Sequence, residues 1–187
     1  MNAAGVSIEN HYECIVTTKS IKNEYNGAPM GVDFSSSHII LSPFTSTTTY
    51  ENIVNTKTAV INITDDANLY VACYRKKCTT HIEYRDDYKM PVIKNADGYA
   101  VVVLDRFEIK EKHDTIGSHR YAKMYCSLKE YELKQKRASL FSRANYALIE
   151  TIILLSKNNS LSLDYFQNVI KKTGKSYLDI YSQLFEV

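Results

Sequence analysis

The sequence predicts a mainly β (α+β) protein: a closed or nearly closed barrel of about 135 residues carrying a small helical tail. Three observations lead there. Short alternating segments separated by turn residues fill the first third of the chain. Two long β-branched and tyrosine-rich runs follow, over residues 99–109 and 119–133. After Leu140 the apolar period changes from two to that of a helix. Long paired strands placed after several short ones suit a closing antiparallel barrel better than a doubly wound sheet.

Composition narrows the function classes. The chain has 187 residues, 44% hydrophobic and 24% charged, as an ordinary globular protein does. A net charge of +2 gives no bulk attraction to nucleic acid, and the one basic cluster, at residues 134–137, is short. No apolar leader follows Met1, and the most apolar window, 147–155, contains Glu150 and is too short to span a bilayer. A cytoplasmic protein with no membrane partner is expected. Cys14, Cys73, Cys78 and Cys126 form no C-x-x-C pair, and the five histidines show no metal-ligand spacing, so free thiols and no metal site are expected.

Taken in order, residues 11–18 alternate as a strand with Tyr12, Cys14 and Val16 on one face. Asn26-Gly27 is a tight-turn signal leading into a second strand over residues 28–34. Pro29 and Gly31 both weaken ladder pairing there, which marks either an edge with a bulge or close approach of a ligand. A third strand over residues 38–41 ends at Pro43. Residues 58–64 alternate again, with Ile61 and Ile63 opposite Val60, Asn62 and Thr64. Asp66 caps a short helix to Lys76, and residues 78–97 read as strand, excursion and turn. From Leu140, the residues Phe141, Ala144, Leu148, Ile152 and Leu155 recur at helical spacing. Ser162 caps a second tail helix that stops at Thr173-Gly174, and a third follows from Tyr177. A barrel domain over residues 1–136 and a helical domain over 137–187 result. Residues 173–176, TGKS, imitate a P-loop end but lack its first glycine and the preceding strand.

The chemistry concentrates between Leu41 and Asp66. Thr45, Ser46, Thr47, Thr48 and Thr49 offer five hydroxyls in succession, and Thr48 with Glu51 makes a capping box that starts a helix at Thr49. A helix start carries unsatisfied N–H groups and the positive end of the peptide dipoles, which suits a phosphate. The polar Asn62, on a strand otherwise apolar, wants a partner above it. Phosphate at one end and a polar ring at the other describe one nucleotide-like ligand. The plain alternative is that the hydroxyls only cap and turn the chain.

The order of these pieces resembles the flavin-reductase-like split β-barrel, and within it the archaeal domain-of-unknown-function 447 family. The likeness rests on residues 12–18 (YECIVTT), 28–32 (APMGV), Ser42-Pro43-Phe44 leading to 49–53 (TYENI), 60–66 (VINITDD), and 141–144 (FSRA) with Ile149-Glu150. It implies an FMN-binding barrel that forms a homodimer with the flavin near the subunit junction. It also implies a C-terminal helical domain. On that resemblance the phosphate meets Thr45, Ser46, Thr47, Thr48 and Thr49. The ring edge lies against the backbone of Pro29, Met30, Gly31 and Val32, with Asn62 nearby. Ser42 stands where the family pattern often has arginine, so Arg143, Arg120 or Lys57 is expected to supply the cation.

Two functions follow. One is a flavin-reductase-like redox protein, possible as an FMN-dependent oxidoreductase with a nicotinamide donor, although no G-x-G-x-x-G is present. The other is a non-catalytic dimeric flavin-binding or interaction module. Deazaflavin or pyridoxal phosphate stays open as the ligand, and no catalytic nucleophile stands out.

Overall fold

The computed structural model describes residues 10–77, 81–85, 89–114, 117–134, 140–156, 163–174 and 177–183. Six strands close a barrel: β1 (Asn10–Lys19), β2 (Tyr25–Phe34), β3 (Ile39–Leu41), β4 (Thr58–Ile63), and the long β7 (Gly98–Asp114) and β8 (Gly117–Leu133). Their order around the barrel is β1-β2-β3-β8-β7-β4, every pairing antiparallel. Alternation decides what lies inside. Tyr12, Cys14, Val16, Val32, Phe34, Ile61, Val102, Met124 and Cys126 fill the interior as one buried cluster. The remaining strands β5 (Ile82–Arg85) and β6 (Met90–Ile93) form a separate hairpin in the 78–97 region.

Helix α1 (Thr48–Thr56) closes one end of the barrel, with Ile53 fully buried in the core. Asn52 Nδ2 donates to Thr18 Oγ1 at 3.0 Å, which ties the helix to β1. Lys57 ends it in the left-handed conformation, its N–H donating to Ile53 O. Helix α2 (Ala67–Tyr74) begins at Asp66, whose side chain accepts from Asn68 N. It sets Leu69 and Cys73 against Ile15, Ile93 and Ala96 on the outer face of the barrel. The tail helices α3 (Arg143–Ser156), α4 (Leu163–Thr173) and α5 (Leu178–Gln183) share a cluster of Ala144, Ala147, Leu148, Ile170 and Tyr181. Among the described residues no helix is long and apolar enough to cross a membrane.

Three boundaries differ from expectation. The β1–β2 turn is at residues 20–24, where Asn23 takes the positive φ of 65° and Ser20 N donates to Glu24 O. Asn26 and Gly27 instead lie inside β2, opposite Thr18 and Thr17. The β1 ladder continues past them to Lys19 and Tyr25, and that pairing outweighs the local turn preference. Helix α1 starts one residue early, because Thr47 is the cap and its Oγ1 accepts from Tyr50 N. Helix α3 starts at Arg143 rather than Leu140, since Phe141 O accepts from Glu13 N and so adds to β1. Ser162 and the turns at 115–116 and 158–160 lie outside the described residues.

Asn62 is the clearest correction. It is fully buried, with Nδ2 donating to Ile15 O at 2.9 Å and to Thr17 Oγ1 at 3.0 Å. Its Oδ1 accepts from Ile93 N at 2.7 Å. The partner that a polar residue on this strand requires is the protein itself, and the amide fastens β6 to the barrel wall. Truncation would leave the buried Ile93 N–H unpaired, at about 1–3 kcal/mol, and would remove the amide bonds to Ile15 O and Thr17 Oγ1. Asn62→Ala is therefore expected to lower the free energy of urea unfolding by about 2–4 kcal/mol. A loss below about 0.5 kcal/mol, the level of a neutral surface change, would contradict that role.

Candidate functional site

β2 pairs with β1 along its whole length but with β3 only over Val32, Asp33 and Phe34. Opposite Gly31, Glu13 uses its N–H and C=O elsewhere: the first donates to Phe141 O, and the second accepts from Tyr70 OH at 2.7 Å. Glu13 and Gly31 thus form a non-hydrogen-bonded pair, and the backbone groups of Gly31 and Pro29 face away from β1. That settles why proline is tolerated. Its missing N–H is not needed by the β1 ladder, and the edge it faces has no strand partner among the described residues.

A cleft of about 630 Å³ opens along this edge. Residues 26–31 of β2 form one wall, and residues 42–44 and 46–49 form another. His11 from β1 and Cys73, Tyr74 and Lys76 around the end of α2 complete the lining. Among the described residues no aspartate or glutamate belongs to the lining, while His11 and Lys76 do.

Of the expected site residues, Pro29, Met30, Gly31, Ser46, Thr47, Thr48 and Thr49 meet in this cleft. Their hydroxyls are not equivalent. Thr49 is 2% exposed, and its Oγ1 accepts from Asn26 Nδ2 at 3.0 Å. Thr47 Oγ1 donates to Phe44 O at 2.7 Å while it caps the helix. Both hydroxyls therefore build the turn, whereas Ser46 and Thr48 are exposed along the cleft. Among the described residues the N–H groups of Ser46, Thr48 and Thr49 find no acceptor in the chain. These are the orphan donors of a helix start.

Four expected residues fall elsewhere. Val32 points into the barrel core and is fully buried. Thr45 is absent from the cleft lining, its N–H donating to Arg120 O, and lines a second hollow that shares Ser46, Thr47 and Thr48 with the cleft. Asn62 serves the β6 contact. Arg143 reaches Glu13, with Nη1 3.5 Å from Oε1, and does not line the cleft. Of the other two cations, Arg120 lies 3.4 Å from Glu111, and Lys57 sits at the opposite end of α1. Among the described residues Lys76 is a lysine that does line the cleft, at a position of positive φ just past α2.

The sequence reading missed His11. Its ring packs over Gly31 so closely that a Cβ there would overlap it. The close approach that Gly31 permits is therefore that of the protein's own imidazole. Nδ1 donates to Asp33 Oδ1 at 2.7 Å, and Nε2 lies 3.8 Å from Glu13 Oε1. The bond to Asp33, then the longer contact with the Glu13 carboxylate, lifts the imidazole from the usual 6.5 to about 9. His11 holds Glu13 below the usual carboxylate range in return. The signal was available: His11 and Glu13 share a strand face at i, i+2, across from Asp33. Burial pushes the Cys14 thiol well up and Cys126 to about 12, so neither is poised as a thiolate.

A family model described as "Protein of unknown function (DUF447) N-terminal domain" matches residues 12–135. An FMN-bound protein of that family from Methanosarcina mazei is 20% identical with a TM-score of 0.56, over 98% of each chain. A flavin reductase domain protein from Arthrobacter sp. FB24 is 14% identical over 67% of this chain and 79% of that one, with a TM-score of 0.52. The flavin reductase HpaC complexed with NADP+ is 13% identical over 67% and 80%, with a TM-score of 0.50. The barrel is thus of the flavin-reductase split type. No curated protein matches the chain.

The His11 arrangement carries a pH dependence. The folded state holds this proton more tightly than the unfolded chain. The stability it contributes is full below about pH 6.5 and is lost as the pH rises through about 9. The stability gap between wild type and His11→Gln, measured by urea unfolding, is expected to narrow across that range. A gap that stays constant from pH 6 to about 9.5 would contradict a raised imidazole.

Proposed function

The chain belongs to the DUF447 family through its N-terminal domain, and from that premise we propose that its cleft binds FMN in a flavin-reductase-like redox protein. The observation that carries this is the pairing of two kinds of open backbone in one cleft. At one wall stand the orphan N–H groups and free hydroxyls of the α1 start. At the other runs the β2 edge that β3 leaves uncovered. A phosphate suits the first and the hydrogen-bonding edge of a planar ring suits the second. The volume lies within the range of small-molecule sites, and a lining whose described charged residues are His11 and Lys76 favours an anion.

In this reading Ser46 and Thr48 hold the phosphate through hydroxyl and backbone N–H, and Lys76 supplies the charge for which Ser42 has no substitute. Pro29, Met30 and Gly31 set the ring along the strand edge. Bound FMN would supply hydride and electron transfer, which no side chain here needs to provide. The NADP+ in the HpaC complex supports a nicotinamide as the electron donor. The FMN of the Methanosarcina mazei protein supports the cofactor. A homodimer fits as well. Phe44, Phe107 and Ile109 are 50%, 38% and 39% exposed. Phe107 also packs edge-to-face on Tyr50 of α1, beside the phosphate wall.

Thr48 allows a sharp test, because it is the first helical residue and follows Thr47 in extended backbone (φ −98°, ψ 149°). Proline fits such a position and removes only the N–H and the hydroxyl. Thr48→Pro is expected to weaken FMN binding, followed by quenching of flavin fluorescence, about tenfold with folding intact. Thr48→Ala is expected to cost less. Equal affinities in all three proteins would move the phosphate elsewhere. Bleaching of the bound flavin by NADPH or NADH marks the redox protein, and a bound flavin that neither reduces marks the non-catalytic module. Light scattering is expected to give a mass of twice 21.4 kDa, and Phe107→Glu is expected to yield monomers. A monomeric wild type would contradict the dimer.

A further inference from the structure

His11 has no role in the binding scheme above, although it lines the same cleft and is built into the wall with unusual care. We propose that the His11 imidazolium, packed on Gly31 and tethered through Nδ1 to Asp33, is the specificity cation that recognises the acceptor edge of the bound ring. The inference rests on FMN binding in this cleft.

The geometry selects the ring rather than the phosphate. The imidazole lies against β2 at Gly31, beside Pro29 and Met30 on the uncovered edge, whereas the orphan amides belong to the start of α1. Rotation is blocked from two sides. Gly31 gives the ring a flat seat that any Cβ would occupy, and Asp33 fixes Nδ1 at 2.7 Å. Nε2 remains the working nitrogen. Its partner Glu13 is 3.8 Å away, too far for a full hydrogen bond, and Glu13 is shared with Arg143 at 3.5 Å. Because this contact is long and the carboxylate is shared, the Nε2 proton has room for an acceptor in the cleft that His11 lines.

The charged and titratable neighbours are Glu13 on β1, Asp33 on β2, Arg143 on α3, and Tyr70, Cys73, Tyr74 and Lys76 around α2. The two carboxylates keep the imidazole charged through neutral pH. A fixed cation at the acceptor edge of a flavin stabilises the negative charge that builds there on reduction, which is one of the ways a protein tunes the cofactor. It also discriminates against rings without acceptors on that edge. Because Arg143 opens the tail helices, the same chain of charges links the helical region to the cleft.

The test is the affinity for FMN and for riboflavin between pH 6.5 and about 9.5, read by fluorescence quenching, alongside the His11 titration followed by NMR. For wild type, both ligands are expected to bind about tenfold more weakly once the pH passes 9. His11→Gln is expected to show the weaker affinity throughout with no such break. Asp33→Asn is expected to move both the break and the NMR midpoint down toward 6.5. Gly31→Ala is expected to displace the ring and weaken binding like His11→Gln, with circular dichroism confirming the fold. FMN affinity unchanged in His11→Gln, or a pH break for FMN but none for riboflavin, would overturn the assignment while leaving the cofactor reading intact. Wild-type protein that takes up no FMN at pH 7 would remove the cofactor reading itself. An NMR midpoint near 6.5 in wild type would overturn the permanent cation on its own.

Discussion

The barrel closes by letting β3 be only three residues long. Because β3 covers β2 only over Val32, Asp33 and Phe34, the first part of β2 keeps one edge without a strand. Elsewhere in proteins such an edge is a liability that side chains or helices must blunt. Here it is sheltered rather than covered. Helix α1 stands at its end and α2 over its outer face, so the uncovered backbone becomes the wall of a cleft. Pro29 and Gly31 are tolerated for the same reason, since the ladder to β1 does not need the groups they lack.

The second wall depends on the first. Thr49 Oγ1 accepts from Asn26 Nδ2, so the start of α1 is registered against β2 by a part-buried bond. Asn52 to Thr18 repeats the tie one turn further on. The orphan N–H groups of the helix thereby stand at a fixed place relative to the strand edge. Two of the threonines are consumed in building that arrangement, and the exposed Ser46 and Thr48 are what remains for a ligand. Preorganisation of this kind reduces the ordering cost of binding.

Much of this could be read in advance. Alternation grouped Tyr12, Cys14 and Val16 on one face of β1, and all three lie in the barrel core, because burial on one side of a pleat enforces a period of two. Ser46 to Thr49 of the hydroxyl-rich loop and Pro29 to Gly31 of the softened strand both line the cleft, whereas Thr45 and Val32 do not. What escaped were matters of partner choice. Asn62 satisfies itself against Ile93, a residue 31 positions away in a hairpin that no periodicity announced. Asn26-Gly27 carries a strong local turn signal, yet the β1 register extends past it to Lys19 and Tyr25. His11 looked like an ordinary strand residue until pairing set Asp33 across from it and Gly31 beneath it. Such facts belong to register, which a single chain specifies only through the fold as a whole.

The central claim is that one ligand spans from the α1 start to the open edge of β2. The most direct measurement is a two-dimensional amide NMR titration of the wild-type protein with FMN. The account predicts the largest shifts at Ser46, Thr48 and Thr49 together with Met30 and Gly31, both groups saturating at one ligand concentration. Shifts confined to one wall, or centred on Thr45, Tyr50, Glu51, Val54 and Asn55 with none at Met30 and Gly31, would contradict it.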